Sequence, residues 1–128
     1  MSTFVRSLTV EIFNSSGADI AVNYAQLTGR EWAIPPTPGT LICPSQQQAY
    51  VNGVSNTLSS LGGQISLMPA SGGSITSAWN WPSGSPVSGS VNSIATNLAV
   101  THQISNTQTN NPTMQIVIAN ASSIAKIV

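Results

Sequence analysis

Few side chains in this sequence are suited to acid–base or nucleophilic chemistry. The 128 residues contain one histidine, His102, and three carboxylates, Glu11, Asp19 and Glu31. Hydrolysis by a serine nucleophile needs a base and an orienting carboxylate, and glycoside hydrolysis needs a carboxylate pair. Because these few groups are scattered along the chain, we expect no catalytic residues and no enzymatic activity.

Potential metal ligands are equally sparse. Cys43 is the single cysteine, which excludes an intrachain disulfide and a multi-cysteine zinc site. Neither a ligand cluster at metal-binding spacing nor a glycine-rich phosphate loop before a helix is present. The sequence therefore predicts no metal and no cofactor. We interpret Cys43 as a packed thiol and His102 as a half-buried histidine bonded to the backbone.

The composition is unusual in its lack of charge. Lys plus Arg and Asp plus Glu each number 3, so 5% of residues are charged, against about 25% in ordinary soluble proteins. A formal net charge of zero argues against binding to nucleic acid by counterion release and against a polybasic membrane anchor. It also removes repulsion between copies, so we expect a homo-oligomer.

The hydropathy pattern bears on location. No run of about 18 apolar residues is present, so we expect no transmembrane helix. Residues 1–14 alternate and include Arg6 and Glu11, which is unlike a secretory signal peptide. We therefore expect no signal peptide, and a protein that is cytoplasmic or exported without a cleaved signal.

Alternation of apolar and polar residues dominates the chain and predicts strands. The clearest apolar rows are Leu8, Val10 and Ile12; Leu98, Val100, His102 and Ile104; and Met114, Ile116 and Ile118. No segment has a 3.6-residue period, and turn signals are frequent. We predict an all-β, single-domain antiparallel β-sandwich over residues 1–128. The first strand and the strand Ile20–Tyr24 are expected to form a hairpin.

The aromatic residues are few and lie near predicted strand ends. Trp79 and Trp81 share one face of a strand because they are two positions apart. Trp32 lies in a proline-rich predicted loop, and Tyr24 and Tyr50 lie near strand ends. Indoles in such places suit a lipid interface or stacking on a sugar. For Trp79 the alternative is simple packing in the sandwich core.

Five segments, in order, resemble those of the aegerolysins, small β-sandwich proteins of fungi and bacteria. The similar segments span roughly residues 7–120. The first two are an opening strand and turn (Val10–Gly17) and a Gly-x-x-Trp step before a proline-containing loop (Gly29–Trp32). The others are a glycine-led central strand (Gly62–Ile65), an aromatic-Asn-Pro-Gly-Ser stretch (Trp79–Ser85) and a final strand after a polar hairpin (Met114–Ile118).

The resemblance implies recognition of a membrane lipid surface. Aegerolysins favour sphingolipid-rich bilayers, and several are the binding component of a two-component, cytolytic pore-forming system with a larger partner protein. By position, Trp32, Trp79 and Trp81 match the family's tryptophan-bearing loops, with Tyr24 and Tyr50 in support. We expect the three tryptophans to be exposed at one end of the molecule. A zwitterionic head group needs no net charge on the protein, and an aromatic face holds a quaternary ammonium with about 0.5–2 kcal/mol.

Two alternatives of other classes remain open. Abundant Asn, Gln, Ser and Thr also suit neutral, hydrogen-bonding interfaces, as in a self-assembling crystalline, structural or coat protein. Tryptophan and asparagine in loops equally suit a lectin-like carbohydrate binder.

Overall fold

The computed structural model describes residues 5–29, 31–54, 60–82 and 84–120, which form ten strands and contain no helix. The strands are β1 (Arg6–Ser15), β2 (Ile20–Gly29), β3 (Glu31–Ile34), β4 (Leu41–Ile42), β5 (Gln47–Val54), β6 (Leu61–Pro69), β7 (Ile75–Trp81), β8 (Ser88–Ser93), β9 (Leu98–Ser105) and β10 (Thr113–Asn120). In these ranges, therefore, no helix is long and apolar enough to cross a membrane.

The strands form two five-stranded sheets that pack as a sandwich. Sheet A has the order β3-β5-β1-β10-β9, and sheet B has the order β4-β2-β6-β7-β8. The predicted all-β sandwich is confirmed. Pairing among the described strands is antiparallel with one exception: β1 and β10 run parallel in the centre of sheet A, with Ile12 opposite Ile116.

The predicted hairpin between the first two strands is wrong, because β1 belongs to sheet A and β2 to sheet B. The buried Asn14 side chain holds the chain at this corner. Its Nδ2 donates to the carbonyl oxygens of Ala18 at 2.7 Å and Ile42 at 2.8 Å. Its Oδ1 accepts from the backbone N–H of Ser16 at 3.0 Å. These bonds stabilise a crossover between sheets where the turn residues alone suggested a hairpin.

The polar hairpin before the final strand, noted in the sequence, forms as expected. β9 and β10 pair without interruption from Leu98 opposite Asn120 to Ser105 opposite Thr113. His102 faces Ile116 in this ladder, yet its side chain is exposed. The expectation of a half-buried histidine is therefore wrong, because β9 is the last strand of sheet A. Cys43 is a free, half-buried thiol.

The core lies between the sheets and is built from the inward rows of the alternating strands. Along β1 the odd and even positions alternate between half-buried and fully buried. The row on β7 does the same and ends in tryptophan. The largest fully buried side chains are Leu8, Val10, Ile12, Ile20, Ile42, Leu61, Ile65, Leu67, Ile75, Met114, Ile116 and Ile118.

Two consecutive glycines on β6 allow a large side chain to pack against the strand. A Cβ atom on Gly63 would lie 2.8 Å from the carbonyl oxygen of Gln26, from Leu27 Cδ2 and from Trp79 Cζ2. A Cβ on Gly62 would lie 2.6 Å from Thr28 Oγ1. The glycine-led strand noted in the sequence therefore has a steric role, which is to make room for Trp79 and for β2.

Gly63→Ala should lower the free energy of unfolding by about 1–3 kcal/mol, because the added methyl group overlaps backbone as well as side-chain atoms. Urea unfolding followed by circular dichroism measures the change. Gln64→Ala is the matched control, since its side chain points away from the core, and it should change stability little. Equal unfolding midpoints for Gly63→Ala and the unmodified chain would contradict the steric role.

Candidate functional site

The three tryptophans lie at one end of the sandwich, as the sequence predicted. At this end β1 begins, β5 ends, β6 begins and β7 ends, since Arg6 pairs with Val54 and Leu61 pairs with Trp81. We call it the tryptophan end. Trp32 of sheet A and Trp79 of sheet B meet edge to face, with ring centroids 5.8 Å apart and planes at 67°.

The predicted exposure of these tryptophans is wrong for two of the three. Trp79 is 3% exposed and Trp81 is 6% exposed, and both belong to the core cluster. Their shared face, correctly expected from the two-residue spacing, is the inner face of sheet B. Trp32 was expected in a loop, but it lies in strand β3, where it pairs with Asn52. It is half-buried and packs against the same cluster. None of the three is therefore placed as a freely exposed indole for insertion into a bilayer.

The two tyrosines assigned to the same site differ in where they lie. Tyr24 is 42% exposed on the outer face of sheet B, next to a bulge that follows Val22. Its hydroxyl accepts a hydrogen bond from Gln64 Nε2 at 3.3 Å. Tyr50 is buried beside a groove that Ile34 and Leu41 also line, and this burial raises the pKa of its phenol. The structure therefore brings Tyr50, but not Tyr24, into the core cluster that holds Trp79 and Trp81.

Asn52 joins the two sheets at the tryptophan end. This asparagine lies on the inner face of β5 and is fully buried. Its Oδ1 accepts hydrogen bonds from Trp79 Nε1 and from the backbone N–H of Gly62, both at 3.1 Å. A buried indole N–H needs an acceptor. Asn52 therefore fixes the orientation of Trp79 and ties β5 to β6.

Arg6 is the polar group that most distinguishes this end. Its side chain is 4% exposed, and its Cζ lies 3.8 Å from the centroid of the Trp81 ring. The ring face attracts the guanidinium, and this attraction strengthens when the pair is removed from water. Burial lowers the pKa of Arg6, but a guanidinium keeps its proton at neutral pH.

Arg6 and Trp81 line a cleft of about 440 Å³. Exposed segments around Ser85 and in the loop between β9 and β10 complete the lining. The remaining lining residues are Gly84, Ser85, Pro86, Thr107, Gln108 and Asn110. Hydroxyl and amide groups therefore surround one buried cation, an arrangement suited to a small anionic group on a neutral molecule. We call this site the Arg6–Trp81 cleft.

Sequence reasoning missed both Arg6 and Asn52 as site residues, although a signal was present for each. Arg6 stands two positions before Leu8 and so falls in the apolar row of β1. Asn52 stands two positions after Tyr50 and falls in the inner row of β5 in the same way. A polar residue in register with a core row is a candidate for a buried, partnered group. Among the described residues, no three of His, Cys, Asp and Glu are grouped to hold a metal ion.

Asn52→Ala should lower the free energy of unfolding by about 2–4 kcal/mol, because the Trp79 and Gly62 N–H donors lose a buried acceptor. Tryptophan emission should also shift to the red as Trp79 loosens. Chemical unfolding and emission spectra measure both effects. Asn92→Ala, at an exposed position on β8, is the control. If Asn52→Ala changes neither the stability nor the emission spectrum, the hydrogen bonds of Asn52 do not hold the two sheets together at this end.

No family model and no curated protein matches this sequence. Solved structures do match. IP-1A from Alcaligenes faecalis has a TM-score of 0.73 at 16% identity, over 91% of this chain and 92% of that one. The lipid binding protein Nakanori has a TM-score of 0.70 at 13% identity, over 91% and 72%. RahU, solved with a TRIS molecule, has a TM-score of 0.72 at 13% identity, over 92% and 97%.

A lectin from Xerocomus chrysenteron matches less well, with a TM-score of 0.57 at 10% identity, over 88% of this chain and 98% of that one. The three better matches are aegerolysin-like proteins. At these identities the likeness concerns the fold. The chain therefore has an aegerolysin-like β-sandwich fold, as the order of its sequence motifs predicted.

Proposed function

We propose that this protein binds membrane lipid surfaces and takes a phosphate-bearing, zwitterionic head group into the Arg6–Trp81 cleft. The observation that carries the proposal is the buried Arg6 guanidinium, held 3.8 Å over Trp81 in a cleft whose other lining residues are neutral. The fold shared with the lipid binding protein Nakanori supports it.

The chemistry of the guanidinium suits a phosphate. An arginine has five N–H donors in a planar fork, whose geometry matches that of a phosphate. A charge-assisted hydrogen bond of this kind is shorter and stronger than a neutral one. Because Arg6 is held by the indole, little side-chain freedom would be lost on binding.

The neutral surroundings favour a zwitterion over an anionic lipid. The chain has a net charge of zero and so has no long-range attraction for an anionic bilayer. One face of Trp81 is covered by the protein's own cation, so that face is not available to the head-group ammonium. We assign the ammonium instead to the hydroxyl and amide wall formed by Thr107, Gln108 and Asn110.

Two finer proposals rest on the aegerolysin resemblance. The first is a preference for bilayers that contain sphingolipid. The second is that the chain is the binding component of a cytolytic pair, with a larger pore-forming partner protein. Co-sedimentation with vesicles of phosphatidylcholine and cholesterol, with and without sphingolipid, separates the preference for sphingolipid from general lipid binding.

Arg6→Gln should weaken binding to sphingolipid vesicles about 10–100-fold, which corresponds to the loss of a charge-assisted hydrogen bond of about 1.5–3 kcal/mol. Thr101→Gln, at an exposed position on β9 outside the cleft, is the control and should leave binding unchanged. Vesicle co-sedimentation measures both variants.

A second pair of variants tests the cleft with Arg6 in place, because Arg6→Gln itself could misfold. Ser85→Glu places a carboxylate in the cleft at an exposed position, whereas Ser90→Glu adds the same charge on the outer face of β8. Only Ser85→Glu should reduce binding. If both pairs bind as well as the unmodified chain, the cleft is not the head-group site.

The position of the cleft also predicts which end of the molecule meets the bilayer. Val5 precedes Arg6 and is 40% exposed, and Met68 lies toward the far end of β6 and is 49% exposed. Val5→Asp should weaken vesicle binding about tenfold, because it replaces apolar contact by a charge, and Met68→Asp should have no effect. The reverse result would place the membrane at the opposite end of the sandwich.

Carbohydrate binding is the second candidate, favoured by the fold shared with the Xerocomus chrysenteron lectin. Competition distinguishes the two functions. Soluble phosphocholine should release the protein from vesicles if the cleft binds a phosphate. Free sugars should release it if the protein instead binds the glycan of a lipid head group.

A further inference from the structure

We propose that β9 is a self-association edge, at which two copies of this chain pair antiparallel across a twofold axis and join their A sheets. This proposal is independent of lipid binding. It rests on how the four edge strands of the sandwich differ.

Among the described strands, three of the four edges carry features that disfavour strand addition. β4 is two residues long. β3 is four residues long, has a register shift between Trp32 and Ile34, and is followed by Pro35 and Pro36. β8 contains Gly89 and follows Pro86 closely. Short length, bulges and nearby prolines are the usual protections of a sheet edge.

β9 has none of these protections. It is eight residues long and pairs with β10 with no register shift along its length. It contains no proline, no glycine, no lysine and no carboxylate, and its single ionisable residue is His102. As the last strand of sheet A, it presents a regular row of backbone donors and acceptors. Such an edge is a template for another strand.

The sequence of β9 favours a second copy as the occupant. Paired residues in an antiparallel ladder share a face, so a twofold axis can pass through Thr101 or through His102. The first register places Leu98 opposite the partner's Ile104, and the second places Val100 opposite it. Either register forms two symmetry-related apolar pairs from side chains that are half-buried in the single chain. The partner also brings no net charge, so no repulsion opposes the approach.

The experiment compares two lysine substitutions by sedimentation velocity over a range of protein concentrations without lipid. Thr101→Lys places two ammonium groups near the twofold axis. They are directly opposite each other when the axis passes through residue 101 and diagonal when it passes through residue 102. Their repulsion should weaken self-association at least about tenfold. Asn92→Lys, at an exposed position on the β8 edge, is the matched control and should leave self-association unchanged. Amide hydrogen exchange in β9 should slow as the concentration of the unmodified protein rises.

The outcomes separate this edge from other modes of association. A monomer at every concentration, with exchange in β9 independent of concentration, would overturn the proposal. Oligomers that resist Thr101→Lys, or that weaken equally in both variants, would overturn it too, because they would place the contact elsewhere. Failure of lipid binding has no bearing on these results, since the measurements contain no lipid.

Discussion

The tryptophan end depends on one side-chain oxygen. Asn52 Oδ1 accepts from the Trp79 indole and from the Gly62 backbone, and the two donors belong to the sheet opposite its own. With Trp79 held in place, Trp32 packs against its ring at 67°, and the glycines of β6 fit beneath it. Trp81, two positions along the same strand, then receives Arg6. The geometry of the cleft thus follows from a neutral hydrogen bond in the core.

Alternation in the sequence located most of the strands but not β3, which lies where a loop was expected, and it did not assign strands to sheets. The rows that contain Leu8 and Ile116 became core rows as expected. What a period of two cannot reveal is which neighbour a strand takes, and for β1 that neighbour is the distant β10. Nor does it reveal whether a shared face points inward. Trp79 and Trp81 share the core face. The proposed binding site is therefore centred on Arg6, which lies over Trp81 and lines the cleft with it.

Two buried amides hold polar parts of the described sandwich in place. Asn14 and Asn52, both fully buried, hold the corner and the tryptophan end by hydrogen bonds that carry no charge. Arg6 departs from this pattern, because its guanidinium packs on an aromatic face.

The two proposed surfaces also constrain each other. Antiparallel pairing through β9 would point the two Arg6–Trp81 clefts in opposite directions, so such a dimer would present one cleft to a flat bilayer or connect two bilayers.

The parallel pairing of β1 with β10 has a consequence for how the chain folds. Thr9 lies opposite Thr113, so the centre of sheet A joins the two extremes of the described sequence. Contacts between residues so far apart raise the contact order, which slows folding. During synthesis, sheet A cannot close until β10 has left the ribosome, whereas β6, β7 and β8 can pair in succession beforehand. β1 can pair with β5 in the same interval, so the step that waits for β10 is the joining of the two parts of sheet A.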